Sequence, residues 1–295
     1  MRLRKCVIPA AGLGTRLLPA TKSQPKEMVP LGRKPVIQYV VEEAIALGLK
    51  QILIITGSKK RSIEDHFDYD HVLQEELEKQ GKCSLIAETN LTQRADVQLF
   101  FTRQSKPSGL ADAVALARAF VDGEDFAVML GDNVFFGSSR DSLFARMMDL
   151  HERRNGAVVL ALKRVRQEEV VDFGIAETSK IKQGAAKILD LVEKPKVGSA
   201  PSDLAIAGRY IFTPRIFDAI PKTAIGKGGE RQLTDAIRLL LKSGQDVWGV
   251  LVHEDESIYD VGTPYSYAMS FMEACLRDPE IGPKLREKLK GSTAE

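Results

Sequence analysis

Short apolar runs separated by amphipathic helical stretches recur through the first 162 residues, and this alternation limits the fold more than any other feature of the chain. Lys5–Pro9, Gln51–Thr56 (QILIIT), Val97–Thr102, Phe126–Leu130 (FAVML) and Ala157–Leu162 read as strands. Runs that are apolar at successive positions suit strands covered on both faces. Between them, Pro35–Gly48 carries Val36, Ile37, Val40, Val41, Ala44, Ile45 and Leu47 at helical spacing. Ser62–His66, His71–Gln80, Leu110–Phe120 and Asp141–Arg154 complete the helical set. Such alternation predicts a mainly parallel sheet with helices on both faces. Ligands of these sheets sit beyond the carboxyl ends of the strands. The loops after Pro9, Thr102 and Leu130 should therefore open onto one mouth.

The second half alternates less regularly. Lys187–Val192, Leu204–Phe212 and Val247–Val252 read as strands, and Thr213–Ile220, Gln232–Lys242 and Tyr265–Arg277 as helices. Lys284–Lys290 suggests a last charged helix, and the Gly- and Lys-rich Lys222–Glu230 a mobile loop. Neither a repeat nor a linker interrupts the chain, so one domain over 1–295 is expected.

Composition narrows the function classes. Forty-two Lys and Arg against 40 Asp and Glu leave a net charge of +2, too little for bulk nucleic-acid binding. The longest uncharged run, Val261–Met272, is 12 residues, short of the roughly 18 a membrane helix needs. Arg2, Arg4 and Lys5 precede an apolar stretch as in a signal peptide, but Gly12, Gly14 and Arg16 break it early. Cys6, Cys83 and Cys275 are too few and too scattered for a disulfide framework or a zinc knuckle. A cytoplasmic protein is expected, with Cys6 in the core. There the sequon Asn90-Leu91-Thr92 has no meaning. His66, His71, His151 and His253 lack ligand spacing and read as surface or packing residues, and Trp248 as core.

The chemistry concentrates in Ala10–Lys26, AAGLGTRLLPATKSQPK. Gly12 and Gly14 follow a strand, where backbone N–H groups can close around phosphate oxygens. Leu17 stands where a dinucleotide fingerprint wants its third glycine, and the P-loop pattern GxxxxGK[ST] is absent. Met1–Lys34 holds eight basic residues against one acid, Glu27. A triphosphate cradle with Arg16 and Lys26 as charge clamps accounts for this pattern. Asp132, in LGDN just after a strand, can carry a carboxylate to the same mouth.

GLGTRLLPATKSQPKEM resembles the signature of the sugar-1-phosphate nucleotidylyltransferases, and within them the bacterial UTP–glucose-1-phosphate uridylyltransferases, or UDP-glucose pyrophosphorylases. PVIQYVVEEAIALGLKQILIITGSKKRSIEDHF, VEKP at 192–195, AGRYIF at 207–212, QLTDAI at 232–237 and YDVGT at 259–263 resemble the same branch, in order, from about residue 4 to 275. The resemblance implies a Rossmann-like three-layer α/β/α sandwich, with a nucleotide half at 1–162, a sugar-phosphate half at 163–277 and a tail at 278–295. It implies nucleotide contacts from Ala10, Ala11, Gly12, Gly14, Thr15, Arg16 and Lys26, with Gln104 and Gly109 reading the pyrimidine edge. It assigns the sugar phosphate to Gly174, Glu193, Lys194 and Gly208, and Mg²⁺ to Asp132 and Asp260. Arg16, Lys26, Asp132 and Lys194 are the implied catalytic set, and a homotetramer or homodimer the implied assembly.

The residue types suit transfer of a uridylyl group from UTP to glucose 1-phosphate. A phosphate monoester has a second pKa of about 6 and is already an anionic nucleophile near neutrality. Mg²⁺ prefers one or two carboxylates plus phosphate oxygens. Three features depart from the uridylyl branch: GLADA at 109–113 and LGDN at 130–133 look like the thymidylyltransferases, and Phe173 precedes Gly174 where Tyr is common. A methyl group is worth about 1–3 kcal/mol in such a pocket, so dTTP is the alternative nucleotide. A catalytically silent paralogue is the alternative of a different class, and should have lost a site charge; Arg16, Lys26, Asp132, Lys194 and Asp260 are all present. A nicotinamide dehydrogenase is disfavoured by Leu17 and the basic cluster.

Overall fold

The computed structural model describes residues 3–91, 97–137 and 142–292. Thr92 of the sequon and Asp141, the expected start of a helix, lie outside the described residues. Among the described residues thirteen strands form: β1 Lys5–Pro9, β2 Pro30–Leu31, β3 Lys34–Pro35, β4 Gln51–Thr56, β5 Gln98–Arg103, β6 Phe126–Met129, β7 Asn133–Phe136, β8 Val158–Arg164, β9 Gly174–Thr178, β10 Ala185–Glu193, β11 Leu204–Phe212, β12 Val247–Leu251 and β13 Ser257–Asp260. Nine of them make one sheet in the order β5-β4-β1-β6-β11-β8-β12-β10-β9, while β13 pairs with β7 and β2 with β3. Within the large sheet β5, β4, β1 and β6 are parallel, as are β12 and β8. The strands β11 and β10 run against their neighbours, so seven of the nine point one way.

The three layers follow from period-two alternation along the strands. Val7, Leu53, Ile55 and Val128 face one cluster, completed by Val114, Ile216, Ile237 and Leu240 from helices on that side. Cys6, Ile8, Ile52, Ile54 and Met129 face the opposite cluster, with Val40, Val41, Phe144 and Met147 from the Val36–Ala46 and Leu143–Arg153 helices. Cys6 is fully buried, as its place in an apolar run requires. A third, smaller cluster of Leu17, Val29, Leu31, Val134, Phe136 and Val261 anchors the turns after β1 to the β7–β13 ribbon.

The structure departs from the sequence reading at several places. Leu110–Phe120 is two helices, Leu110–Ala115 and Arg118–Val121. The Leu116 and Ala117 amides bond three residues back, to Ala113 and Val114, and tighten the turn. Arg118 then reaches the Phe217 carbonyl at 2.6 Å. Cys83–Thr89 forms a helix that the periodicity did not suggest, and the last helix spans Ile281–Ser292. The Lys222–Glu230 stretch folds into short turns, its Gly226 amide on the Glu230 carbonyl at 2.8 Å. Trp248 is half-buried rather than core; its indole donates to Asp246 at 2.7 Å and Arg154 stacks 4.1 Å above it.

Candidate active site

The loops after β1, β5 and β6 do open onto one cleft. It holds about 410 Å³ and is lined by Ala11, Gly12, Gly14, Thr15, Lys26, Gln104, Gly109 and Asp132 among others. The loop after β1 winds through three tight turns, Thr15–Leu17, Ala20–Lys22 and Lys26–Met28. Thr21 clips it by donating to the Gly14 carbonyl at 2.7 Å. Ala10 lies just behind the cleft wall, its amide bonded to Ile55 O at 2.8 Å.

Two loops meet across the cleft at Gly109. Its φ is +113°, and a Cβ there would stand 2.6 Å from the Arg231 carbonyl, so only glycine fits. Gln104 donates to the Gly109 carbonyl at 3.2 Å. The Arg231 amide donates to Ser108 at 3.1 Å, and Glu230 joins the cleft wall. Asp112 of GLADA pairs with Arg231 at 3.0 Å.

Charge gathers at the floor. The Lys26 ammonium contacts the Asp132 carboxylate. Burial opposes the lysine's charge, yet Asp132, Glu27 and Asp260 together hold its pKa above the usual range. Burial likewise opposes ionisation of Asp132, and Lys26 overcomes it, holding the carboxyl below the usual range. Beneath Lys26 lies Glu27, 1% exposed, gripped through both carboxylate oxygens by Lys60 at 2.9 and 2.7 Å. Burial pushes the Glu27 carboxyl up and the Lys60 ammonium down, and their mutual attraction opposes both shifts.

Asp260 arrives from β13, whose register sets it opposite Asn133 of β7, next to Asp132. The Val261 amide donates to the Asp132 carbonyl at 2.8 Å and locks the junction. The Asn133 amide donates to Asp132 at 3.3 Å and to Asp260 at 3.4 Å, bridging the two acids. Burial first, and the Asp132 charge second, push the Asp260 carboxyl up to about 6. Arg16 approaches the same acid: the place of a Cβ on Gly262 lies 3.0 Å from its Nη2 and 2.8 Å from Asp260 Oδ2. No cluster of three His, Cys, Asp or Glu able to hold a metal occurs among the described residues. Two partly buried carboxylates side by side are nonetheless a donor set that fits a hard divalent cation, which takes its other ligands from phosphates and water.

The remaining expected residues, Gly174, Glu193, Lys194 and Gly208, are not among those that line this cleft. Gly174 opens β9 directly opposite Glu193 at the end of β10. Lys194 follows with φ +45°, a left-handed conformation rare for a long side chain and common where backbone strain serves a site. Its amide donates to the Phe173 carbonyl at 2.9 Å, and its ammonium stands 3.6 Å from Glu193. Gly208 has φ +71°, and a Cβ there would meet Asn133 Oδ1 at 2.2 Å. Its carbonyl accepts from Leu130 at 3.0 Å, which joins β11 to the LGDN turn.

Sequence reasoning missed the supports. Arg209, with no exposed surface, donates to Glu43 at 2.7 Å and to the Asn133 carbonyl at 2.9 Å. A charged residue inside the apolar strand AGRYIF was the available signal. The Glu27–Lys60 pair had a weaker one, a lone acid in a basic segment.

A family model described as nucleotidyl transferase matches residues 5–275. The chain belongs to this family. Among its relatives, a UTP–glucose-1-phosphate uridylyltransferase of Streptococcus pneumoniae is 43% identical, over 98% of this chain and 95% of that protein. A solved structure of UTP-bound UGPase from Acinetobacter baumannii superposes with a TM-score of 0.88 at 34% identity, covering 97% of this chain and 98% of that one. A UDP-glucose pyrophosphorylase complexed with UDP-glucose matches with a TM-score of 0.81 at 35% identity, covering 91% and 97%. Membership accounts for the shared mouth of the loops after β1, β5 and β6, and for the α/β sandwich with a mainly parallel sheet. No helix among the described residues is long and apolar enough to cross a membrane.

Proposed function

We propose that this chain transfers a uridylyl group from UTP to glucose 1-phosphate, forming UDP-glucose and pyrophosphate. The observation that carries the reading is the meeting of Lys26, Asp132 and Asp260 beside the glycine loop, in a chain alike over its whole length to uridylyltransferases. A phosphate oxygen of glucose 1-phosphate attacks the UTP α-phosphorus, the bond to the β-phosphate oxygen breaks, and pyrophosphate leaves with the bonding pair. The nucleophile is already ionised, so no general base is needed. The task left to the protein is positioning and charge stabilisation.

In this reading Ala10, Ala11, Gly12, Gly14 and Thr15 cradle the nucleotide, and Gln104 and Gly109 read the pyrimidine edge. Arg16 and Lys26 meet the oxygens that gain charge as pyrophosphate departs. Gly174, Glu193 and Gly208 bind sugar hydroxyls, where one carboxylate can accept from two neighbours; Lys194 binds the sugar phosphate. Asp132 and Asp260 would hold Mg²⁺ together with phosphate oxygens, and that ion supplies charge neutralisation at the phosphates. The chain acts as one domain, with residues 1–162 on the nucleotide side and 163–277 on the sugar side. It works in the cytoplasm, where nucleoside triphosphates are at hand, as a homotetramer or homodimer.

A dTTP reading draws on GLADA, LGDN and Phe173. Against it, Asp112 of GLADA is engaged by Arg231. A silent paralogue is disfavoured because no site charge is missing. Pyrophosphate release with glucose 1-phosphate and Mg²⁺, comparing UTP with dTTP, tests the reading. A clearly higher kcat/KM with UTP is expected. Preference for dTTP would transfer specificity to those departures, and no release with either would favour the silent paralogue.

A further inference from the structure

The strand β11 is buried along its whole length, and Arg209 is its one charged residue. Glu43, from the Val36–Ala46 helix, takes the guanidinium through both carboxylate oxygens: Nε donates to each at 3.2 Å, and Nη2 to Oε2 at 2.7 Å. The other bonds go to main-chain carbonyls, from Nη2 to Asn133 at 2.9 Å and from Nη1 to Gly208 at 3.2 Å. A buried ion pair adds little net stability over apolar side chains of similar volume. Apolar side chains, however, cannot hold a carbonyl.

Both carbonyls belong to the segment that carries the acids of the floor. The register of β11 with β6 runs as far as Arg209 opposite Met129. The chain then turns and starts β7 at Asn133, and β7 pairs with β13 rather than with the large sheet. The Arg209–Asn133 bond is therefore a direct tie from the large sheet to that ribbon. The Gly208 carbonyl also accepts the Leu130 amide at 3.0 Å, so the guanidinium bears on both ends of the LGDN turn. Asp132 lies inside the turn, and the Asn133 side chain donates to Asp132 at 3.3 Å and to Asp260 at 3.4 Å. A fixed Asn133 main chain thus sets the spacing of the two acids. Tyr39, one turn before Glu43, meets Phe136 of β7 edge-on at 6.0 Å, so the helix that supplies the carboxylate also packs on the ribbon.

We infer that Arg209, anchored by Glu43, is a positioning residue that sets the spacing of Asp132 and Asp260 for a divalent cation and touches no substrate itself. The inference rests on the uridylyl-transfer reading for the use made of those acids. The test replaces the pair by apolar side chains, Glu43→Leu with Arg209→Met, and reads Mn²⁺ binding in the presence of UTP by electron paramagnetic resonance, without glucose 1-phosphate. Loss of such an outer support should weaken Mn²⁺ binding and lower kcat about tenfold or more. The urea midpoint should stay near that of wild type, and the glucose 1-phosphate KM within about twofold. Where the double variant does not fold, Glu43→Gln replaces it, and Mn²⁺ binding should weaken about threefold. Mn²⁺ affinity within about twofold of wild type in a folded variant overturns the inference. So does a loss of activity that follows only the fraction of folded protein. Wild-type behaviour separates the claims. A wild type that binds Mn²⁺ with UTP but releases no pyrophosphate sinks the transfer reading, and its Mn²⁺ comparison still decides Arg209. A wild type that binds no Mn²⁺ with UTP overturns the positioning role outright.

Discussion

On the proposed nucleotide side of the mouth, Lys26 is enclosed against Asp132, with Glu27 and Lys60 paired beneath it. On the proposed sugar side the Lys194 side chain is 37% exposed with only a loose contact to Glu193. The same residue types serve different ends. Paired and buried charges fix a geometry before any ligand arrives, which suits groups that act on the transition state. Cations without close partners keep their attraction for an incoming anion, which suits binding. The nucleotide side should therefore govern kcat and the sugar side KM.

Four experiments sharpen or break this contrast, in decreasing order of expected effect. Glu27→Gln leaves the Lys60 ammonium buried and unpaired, and should destabilise the protein by about 3–5 kcal/mol in urea unfolding. An unchanged unfolding midpoint would mean that the paired floor is not what holds the nucleotide side. Lys26→Ala should lower kcat by about 10²–10³, as for loss of one transition-state donor; a change below about threefold removes Lys26 from the chemistry. Lys194→Ala should raise the glucose 1-phosphate KM about tenfold with a smaller change in kcat. If kcat falls instead, the division between the two sides is wrong.

The smallest effect lies away from both sides and serves as a control. Burial opposes charge on His151, but the Asp125 carboxylate at 3.1 Å and the Ala157 carbonyl at 2.7 Å raise its pKa above 6.5. A raised folded-state pKa adds stability that is full below the unfolded value and lost as pH rises through the folded one. The stability gap between wild type and His151→Asn should therefore be full below the ordinary imidazole range and shrink as pH rises through the raised folded-state pKa. Activity per folded molecule should not change. A gap independent of pH would show that the imidazole is not charged there.

Much of the fold was legible because burial writes itself into sequence. QILIIT and FAVML are covered on both faces and became β4 and, but for Leu130, β6. The strands β7, β9 and β13 passed unread. They have four or five residues each, too few to show a period, and β7 and β13 form only because they pair with each other. The candidate site was legible through its loops: Gly12, Gly14, Lys26, Gln104, Gly109 and Asp132 line one cleft. Its supports were not. Glu27 meets Lys60 across 33 residues and Arg209 meets Glu43 across 166, distances over which no local pattern couples two charges.

The central claim is that the two sides bring both substrates to one mouth and transfer the uridylyl group directly. The most direct measurement is the configuration at the α-phosphorus of UDP-glucose made from one diastereomer of UTP bearing sulfur on that phosphate. A single in-line attack by the sugar phosphate predicts inversion. Retention would mean two displacements through a uridylylated side chain and would contradict the account.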